Sequence, residues 1–189
     1  RGGFRPLPFV ALLDADVLYP ARLRDVLLSV AEAGLYRVIW TERILDEMVR
    51  NVLDDRPDLA PNQLHHTVSC MMSAFPEAMV TGYESLENVM TNHEKDRHVL
   101  AACVRGRADV LVTCNARYFP PECCSLYDID VQDPDEFLVH AYDLRPEAFM
   151  AAIERMLQRN QSPPRNIPGF LESSRTFTPQ LVGKIRADL

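Results

Sequence analysis

Apolar and polar positions alternate along this chain in blocks that read as short strands separated by amphipathic helices. Residues 9–13 form a continuous apolar run that stops at Asp14, as a buried strand would. Leu23, Val26, Leu27, Val30 and Ala31 then recur at helical spacing up to Gly34, a residue suited to the position just past a helix end. Val38, Ile39 and Trp40 are too few to classify and are read as a brief turn. Thr41 is placed to cap a helix over 42–54, whose apolar face is Ile44, Leu45, Met48, Val49 and Val52. Arg56-Pro57 ends it. A helix over 61–75 buries Leu64, Val68, Met71 and Met72, and Met79-Val80 can start a strand. Thr91 and Glu94 have capping-box spacing and predict a helix from there to about Gly106. Residues 110–112 and 129–131 read as two further strands, followed by helices over 133–143 and 146–160. Alternation of this kind predicts an α/β fold with a central, mainly parallel sheet flanked by helices.

No internal repeat or low-complexity tract interrupts the pattern. One composition break does, the proline-rich stretch 162–169, which reads as a loop or linker. Beyond it Thr178-Pro179 has the form of a helix cap and first helical position, so a short terminal helix follows, docked on the body or on a partner. The 189 residues, 47% hydrophobic and 25% charged, suffice for one core without disulfide staples. No apolar run reaches the roughly 18 residues of a membrane span, and residues 1–20 lack the succession of a signal peptide. The five cysteines mostly lie in apolar stretches and fit reduced thiols of a cytoplasmic protein. Their spacing excludes a structural zinc site.

Charge is distributed unevenly. The net of −7 argues against a general nucleic-acid coat protein. Residues 1–144 carry 13 basic and 23 acidic side chains, a net of −10, and residues 145–189 carry 7 and 4, a net of +3. Most of those acids serve solubility, yet an acidic pocket can act on a polyanion when it gathers cations that invert the local field.

Two predicted strands end in polar groups, one at Asp14-Ala15-Asp16 and one at Thr113-Cys114-Asn115. In a parallel sheet such strand ends meet at the topological switch point, where ligands bind. Taken singly, Asp14 and Asn115 read as turn caps. Asp96 is more telling, because Val99, Leu100 and Cys103 follow it at helical spacing and place it in line with a buried stripe. A carboxylate aimed at a core must be paired or hold a cation. Glu47 falls off the apolar face of its helix and reads as a solvated charge. Arg97 and His98 read as exposed positions that could meet phosphate.

Four segments together resemble the motifs of the PIN-domain nucleases. They are Leu-Asp-Ala-Asp-Val-Leu-Tyr-Pro at 13–20, Thr-Glu-Arg-Ile-Leu-Asp-Glu-Met-Val-Arg-Asn at 41–51, Asp-Arg-His-Val-Leu-Ala-Ala at 96–102 and Ala-Asp-Val-Leu-Val-Thr-Cys-Asn at 108–115. Their order and spacing match over about residues 9–137, and the whole is similar to VapC-like toxins with a C-terminal extension. The resemblance implies a three-layer PIN-like fold, with residues 1–8 as a tail, 9–144 as the nuclease domain and 145–189 as a basic helical extension. It implies an acidic pocket in which Asp14, Glu47 and Asp96 hold the metal, with Thr113 and Asn115 as polar catalytic groups. Glu47 enters on that resemblance only. The fourth motif departs from the usual pattern, since Asn115 stands where many relatives have an aspartate and Tyr118 stands where relatives often have an acid before Phe119. Asp16 is a substitute ligand.

Oxygen ligands of this kind suit Mg²⁺ or Mn²⁺. The implied activity is metal-dependent hydrolysis of phosphodiester bonds in RNA, with transfer or ribosomal RNA as the substrate class. The implied partner is a protein antitoxin, and a second copy of the chain is compatible with the family. Two alternatives compete. A non-catalytic RNA- or protein-binding module on the same fold is motivated by the missing fourth acid. A phosphatase of the haloacid dehalogenase type is suggested by Asp14-Ala15-Asp16, but no later strand ends in the Gly-Asp-x-x-x-Asp that such enzymes use.

Overall fold

The computed structural model describes residues 8–159 and 166–189. Strand β1 (Val10–Leu13) lies at the centre of a four-stranded sheet with β2 (Arg37–Ile39), β3 (Val110–Val112) and β4 (Asp130–Gln132). The order is β2-β1-β3-β4 and every pairing is parallel, with Leu12 opposite Ile39 on one side and Leu111 on the other. Crossovers therefore carry helices: α1 (Ala15–Leu18) and α2 (Ala21–Glu32) between β1 and β2, then α3 (Glu42–Asp55), α4 (Pro61–Ala74) and α5 (Arg97–Arg105) before β3. The short α6 (Pro121–Cys124) precedes β4. Helices α7 (Pro134–Leu144), α8 (Pro146–Arg159), α9 (Ile167–Ser174) and α10 (Pro179–Asp188) complete the chain. This is the expected α/β arrangement of a parallel sheet flanked by helices, PIN-like, with additional C-terminal helices.

Local chemistry explains most boundaries. Thr41 caps α3 by accepting from Ile44 N–H at 3.1 Å. Gly34 takes the left-handed conformation after α2, at φ +77°. Gly106 ends α5 where a Cβ would lie 2.6 Å from Ile39 Cδ1 and 2.9 Å from Val80 Cγ2, so helix and sheet approach closely there. Trp40, Met48 and Met71 fill the core, as their apolar surroundings imply.

Several expectations are corrected. Residues 37–39 are a strand and not a turn, paired through β1. Met79 forms only an isolated bridge with Trp40. Thr91 caps no helix. Its hydroxyl donates to Cys123 Sγ at 3.4 Å, and α5 begins only at Arg97, after a 3-10 turn over Glu94–Asp96. Met72 is 46% exposed. Of the predicted loop 162–169, residues 162–165 lie outside the described residues, while Ile167, Pro168 and Gly169 open α9, with Asn166 accepting from Gly169 N–H at 2.9 Å.

The terminal helices share the one hydrophobic core. Phe149, Ile153, Leu181, Val182 and Ile185 are buried with the strand residues of the sheet. Helix α8 packs on α2, and α10 on α7. No helix among the described residues is long and apolar enough to cross a membrane.

Candidate functional site

The sheet order places the carboxyl ends of β1 and β3 side by side, on the two strands whose connections leave in opposite directions. Asp14 follows β1 directly and is buried. Its N–H bonds Val112 O at 3.1 Å, so the ladder to β3 continues into the site. One carboxylate oxygen accepts from Ala15 N–H at 2.8 Å and the other from Thr113 Oγ1 at 2.9 Å. Asp16, in the first turn of α1, accepts from Cys114 N–H at 3.1 Å and from Asn115 Nδ2 at 2.9 Å. It also lies 3.2 Å from Thr113 Oγ1. Thr113 carries one hydroxyl proton between two carboxylates, so it serves one of them at a time.

Electrostatics follow from this crowding. Burial, then repulsion from Asp16, pushes the Asp14 carboxyl up to about 7, against the lowering effect of its hydrogen bonds. Burial also raises Asp16, although the Cys114 N–H pulls the other way. The charge of Asp96 adds to both shifts, so it acts on the same small region. Asp96 sits at the cap position of α5 yet makes no capping bond; its Oδ2 lies 3.3 Å from His93 Nδ1.

Glu47 is not the solvated charge that its wheel position suggests. It is half-buried on α3, with Oε1 3.1 Å from Nε2 of His98 and 3.8 Å from Nε of Arg43. Burial pushes its carboxyl up, but His98, through its hydrogen bond and charge, together with the nearby Arg43 and Arg50, holds it below its ordinary value. His98 is itself 1% exposed, which corrects its reading as a surface residue. Arg97 is partly buried and donates to Asn92 O at 3.2 Å.

The structure thus gathers Asp14, Asp16, Thr113 and Asn115 by direct hydrogen bonds and brings Asp96 within their field. Glu47 has its hydrogen bond with His98. Among the described residues no three His, Cys, Asp or Glu side chains converge closely enough to hold one metal ion.

Residues 134–187 match the family model described as the VapC50 C-terminal domain. Over 109 residues the chain is 41% identical to the "Putative ribonuclease VapC50" of Mycobacterium tuberculosis. The chain is PIN-domain-like, with homology to VapC50. That alignment covers 58% of this chain and 64% of the VapC50 relative, less than two thirds of the relative's length. No solved structure matches.

The donor set bears on the metal expected from the sequence motifs. Mg²⁺ takes hard oxygen ligands, keeps several of its waters and is usually held by one or two carboxylates together with substrate phosphates. Asp14 and Asp16, both pushed toward protonation by burial and neither paired with a cation among the described residues, fit that mode. They do not make a closed, all-protein cage. The burial of His98 against Glu47 is not legible in the sequence, because a helical wheel ranks positions by apolar neighbours and cannot show a partner carboxylate on another helix.

Proposed function

We propose that the chain is a Mg²⁺- or Mn²⁺-dependent endoribonuclease that hydrolyses phosphodiester bonds in RNA, and that it is the toxin of a type II toxin–antitoxin pair. The observation that carries this reading is the Asp14–Thr113–Asp16 cluster at the β1/β3 switch point, within the field of Asp96. Similarity to a protein named as a ribonuclease supports it. Asp14 and Asp16 would hold the ion together with oxygens of the substrate phosphate, with Asp96 adding its charge to the same field and Glu47 tied to the start of α5 through His98. The ion supplies charge neutralisation for the scissile phosphodiester and makes water a better nucleophile at neutral pH.

The chain's own residues orient the site. Ala15 N–H and the Thr113 hydroxyl fix both oxygens of Asp14, so its carboxylate has little rotamer freedom. Cys114 N–H and Asn115 Nδ2 fix Asp16 toward the strand ends. Asn115 contributes a donor but no charge, which leaves the fourth-motif side of the pocket less acidic than in relatives that carry an aspartate. An antitoxin segment bearing arginine would suit the same negative field.

The second reading is a non-catalytic RNA- or protein-binding module, favoured by Asn115 and Tyr118 in place of acids. Incubating purified protein with total RNA, with and without Mn²⁺, separates the two. The nuclease gives metal-dependent cuts that Asp96→Asn abolishes. Binding that is equal in chelator, with no cleavage under any metal, establishes the module.

A further inference from the structure

Arg117 differs from the other cations on the elements that build the site. Its guanidinium carbon lies 4.7 Å from the centre of the Tyr118 ring, and Nη2 donates to Tyr118 Oη at 2.8 Å. It is exposed, and no carboxylate among the described residues lies within ion-pair distance of it. Arg43, by contrast, is shared between Glu47 and Glu87, and Arg97 is turned to a backbone carbonyl. Lys95 is exposed too, but no hydrogen bond or ring contact among the described residues fixes its ammonium.

Contacts connect Arg117 to the acids. The His93 ring lies 4.7 Å from that of Tyr118, tilted by 44°, while His93 Nδ1 reaches Asp96 at 3.3 Å. On the chain itself, Asn115, two residues earlier, donates to Asp16. Arg117 and Tyr118 therefore stand at the rim of the carboxylate cluster, on the side where the sequence lacks an acid. A planar guanidinium already stacked and hydrogen-bonded loses little freedom when it meets a phosphate, and its fork matches two phosphate oxygens.

We infer that Arg117, held by Tyr118, binds a phosphodiester of the RNA strand beside the scissile one. The endoribonuclease reading enters only in naming RNA as the polyanion. An RNA strand fits better than an acidic peptide because the neighbouring His93 and Tyr118 rings also offer stacking surface for a base.

The test measures binding of a labelled single-stranded RNA oligonucleotide in EDTA, where no metal-dependent cleavage occurs, across a range of KCl concentrations. Each neutralised phosphate on a single strand contributes about −0.7 to the slope of log K against log[salt]. Arg117→Ala should make the slope shallower by about that amount and weaken binding several-fold at low salt. Arg117→Lys should keep the slope, because the charge remains, while losing affinity with the fork. Tyr118→Phe should keep the slope and weaken binding less than Arg117→Ala. Melting temperatures of the variants check that the fold is intact.

An unchanged slope and affinity in Arg117→Ala overturns the inference. So does wild-type protein that fails to bind RNA, or an acidic peptide that alone shows the Arg117 dependence. Arg117-dependent RNA binding without cleavage in Mn²⁺ sustains the inference and removes the nuclease reading. Cleavage with binding indifferent to Arg117 does the reverse.

Discussion

Nε2 of His98, on α5, lies 3.1 Å from Oε1 of Glu47, on α3. His98 is two residues after Asp96, so this one bond ties Glu47 to the helix start that carries Asp96. The other ring nitrogen, Nδ1, is buried with no partner among the described residues, so orientation of the ring depends on Glu47 and on packing. Groups that orient metal-site carboxylates typically change metal affinity or activity by about 10- to 100-fold when removed. His98→Leu should weaken Mn²⁺ binding by that order, measured by titration calorimetry. His98→Gln, whose amide can still donate to Glu47, should recover much of the loss. Equal binding in Leu and Gln variants would assign His98 to packing alone.

Asp14 makes the metal-free protein sensitive to pH in a direction opposite to that of most carboxylates. In the unfolded chain its carboxyl has its ordinary value of 3.8, and in the fold it titrates at about 7. Below the unfolded value both states are protonated and there is no penalty. As pH rises through the interval the unfolded state releases its proton first, so stability falls and levels off above about 7. The total is a few kcal/mol on the linkage relation. In chelator, the melting temperature of the wild type should decline from pH 4.5 to 7.5 relative to that of Asp14→Asn. Added Mn²⁺ should reduce the decline, since a bound cation offsets the buried charge. Parallel pH curves for the two proteins would remove Asp14 as the source.

What the sequence makes legible here is what is encoded locally. The run ending at Asp14, the Thr41 cap and the Gly34 stop each depend on a few neighbouring residues, and the corresponding elements form as expected. β2 depends instead on pairing with β1, some 27 residues away, and its three residues carry no periodicity. Thr91 and Glu94 satisfy a capping-box pattern, but Thr91 finds a partner at Cys123, 32 positions on. The site divides in the same way. Asp14, Asp16, Thr113 and Asn115 follow from two strand ends brought together by sheet order, whereas the His98–Glu47 contact joins two helices whose relative placement no local pattern states.

Thr113 is fully buried, and its hydroxyl is the side-chain donor between Asp14 and Asp16 while also accepting from Asn115 N–H at 3.1 Å. Thr113→Val preserves shape and removes all three contacts. A buried carboxylate that loses a donor costs about 1–3 kcal/mol, so urea denaturation in chelator should show a loss of that order. Thr113→Ser retains the hydroxyl and should lose much less, mainly through the missing methyl. Equal losses in Val and Ser would show that packing, and not the hydroxyl, sets the stability of the strand ends.

The C-terminal helix is held by a carboxylate from another helix. Thr178 occupies the cap position of α10, but its hydroxyl donates backwards to Ser174 O at 3.2 Å. The free N–H groups of Gln180 and Leu181 are taken instead by buried Asp135 of α7, at 2.8 and 2.9 Å. Tyr142 donates to Asp188 at 2.9 Å, and Lys184 pairs with Asp143 at 2.9 Å, so the same two helices are joined at further points. The exposed Lys184 pair adds little, whereas loss of a helix cap costs about 0.5–2 kcal/mol. Asp135→Ala should therefore release α10 ahead of the sheet. Hydrogen exchange of amides 179–188 should speed up markedly while amides of β1 and β3 stay protected. Asp135→Asn keeps one accepting oxygen and should fall between. Exchange that rises equally in α10 and in β1 would mean that the helix does not open as a separate unit and that Asp135 supports the core as a whole.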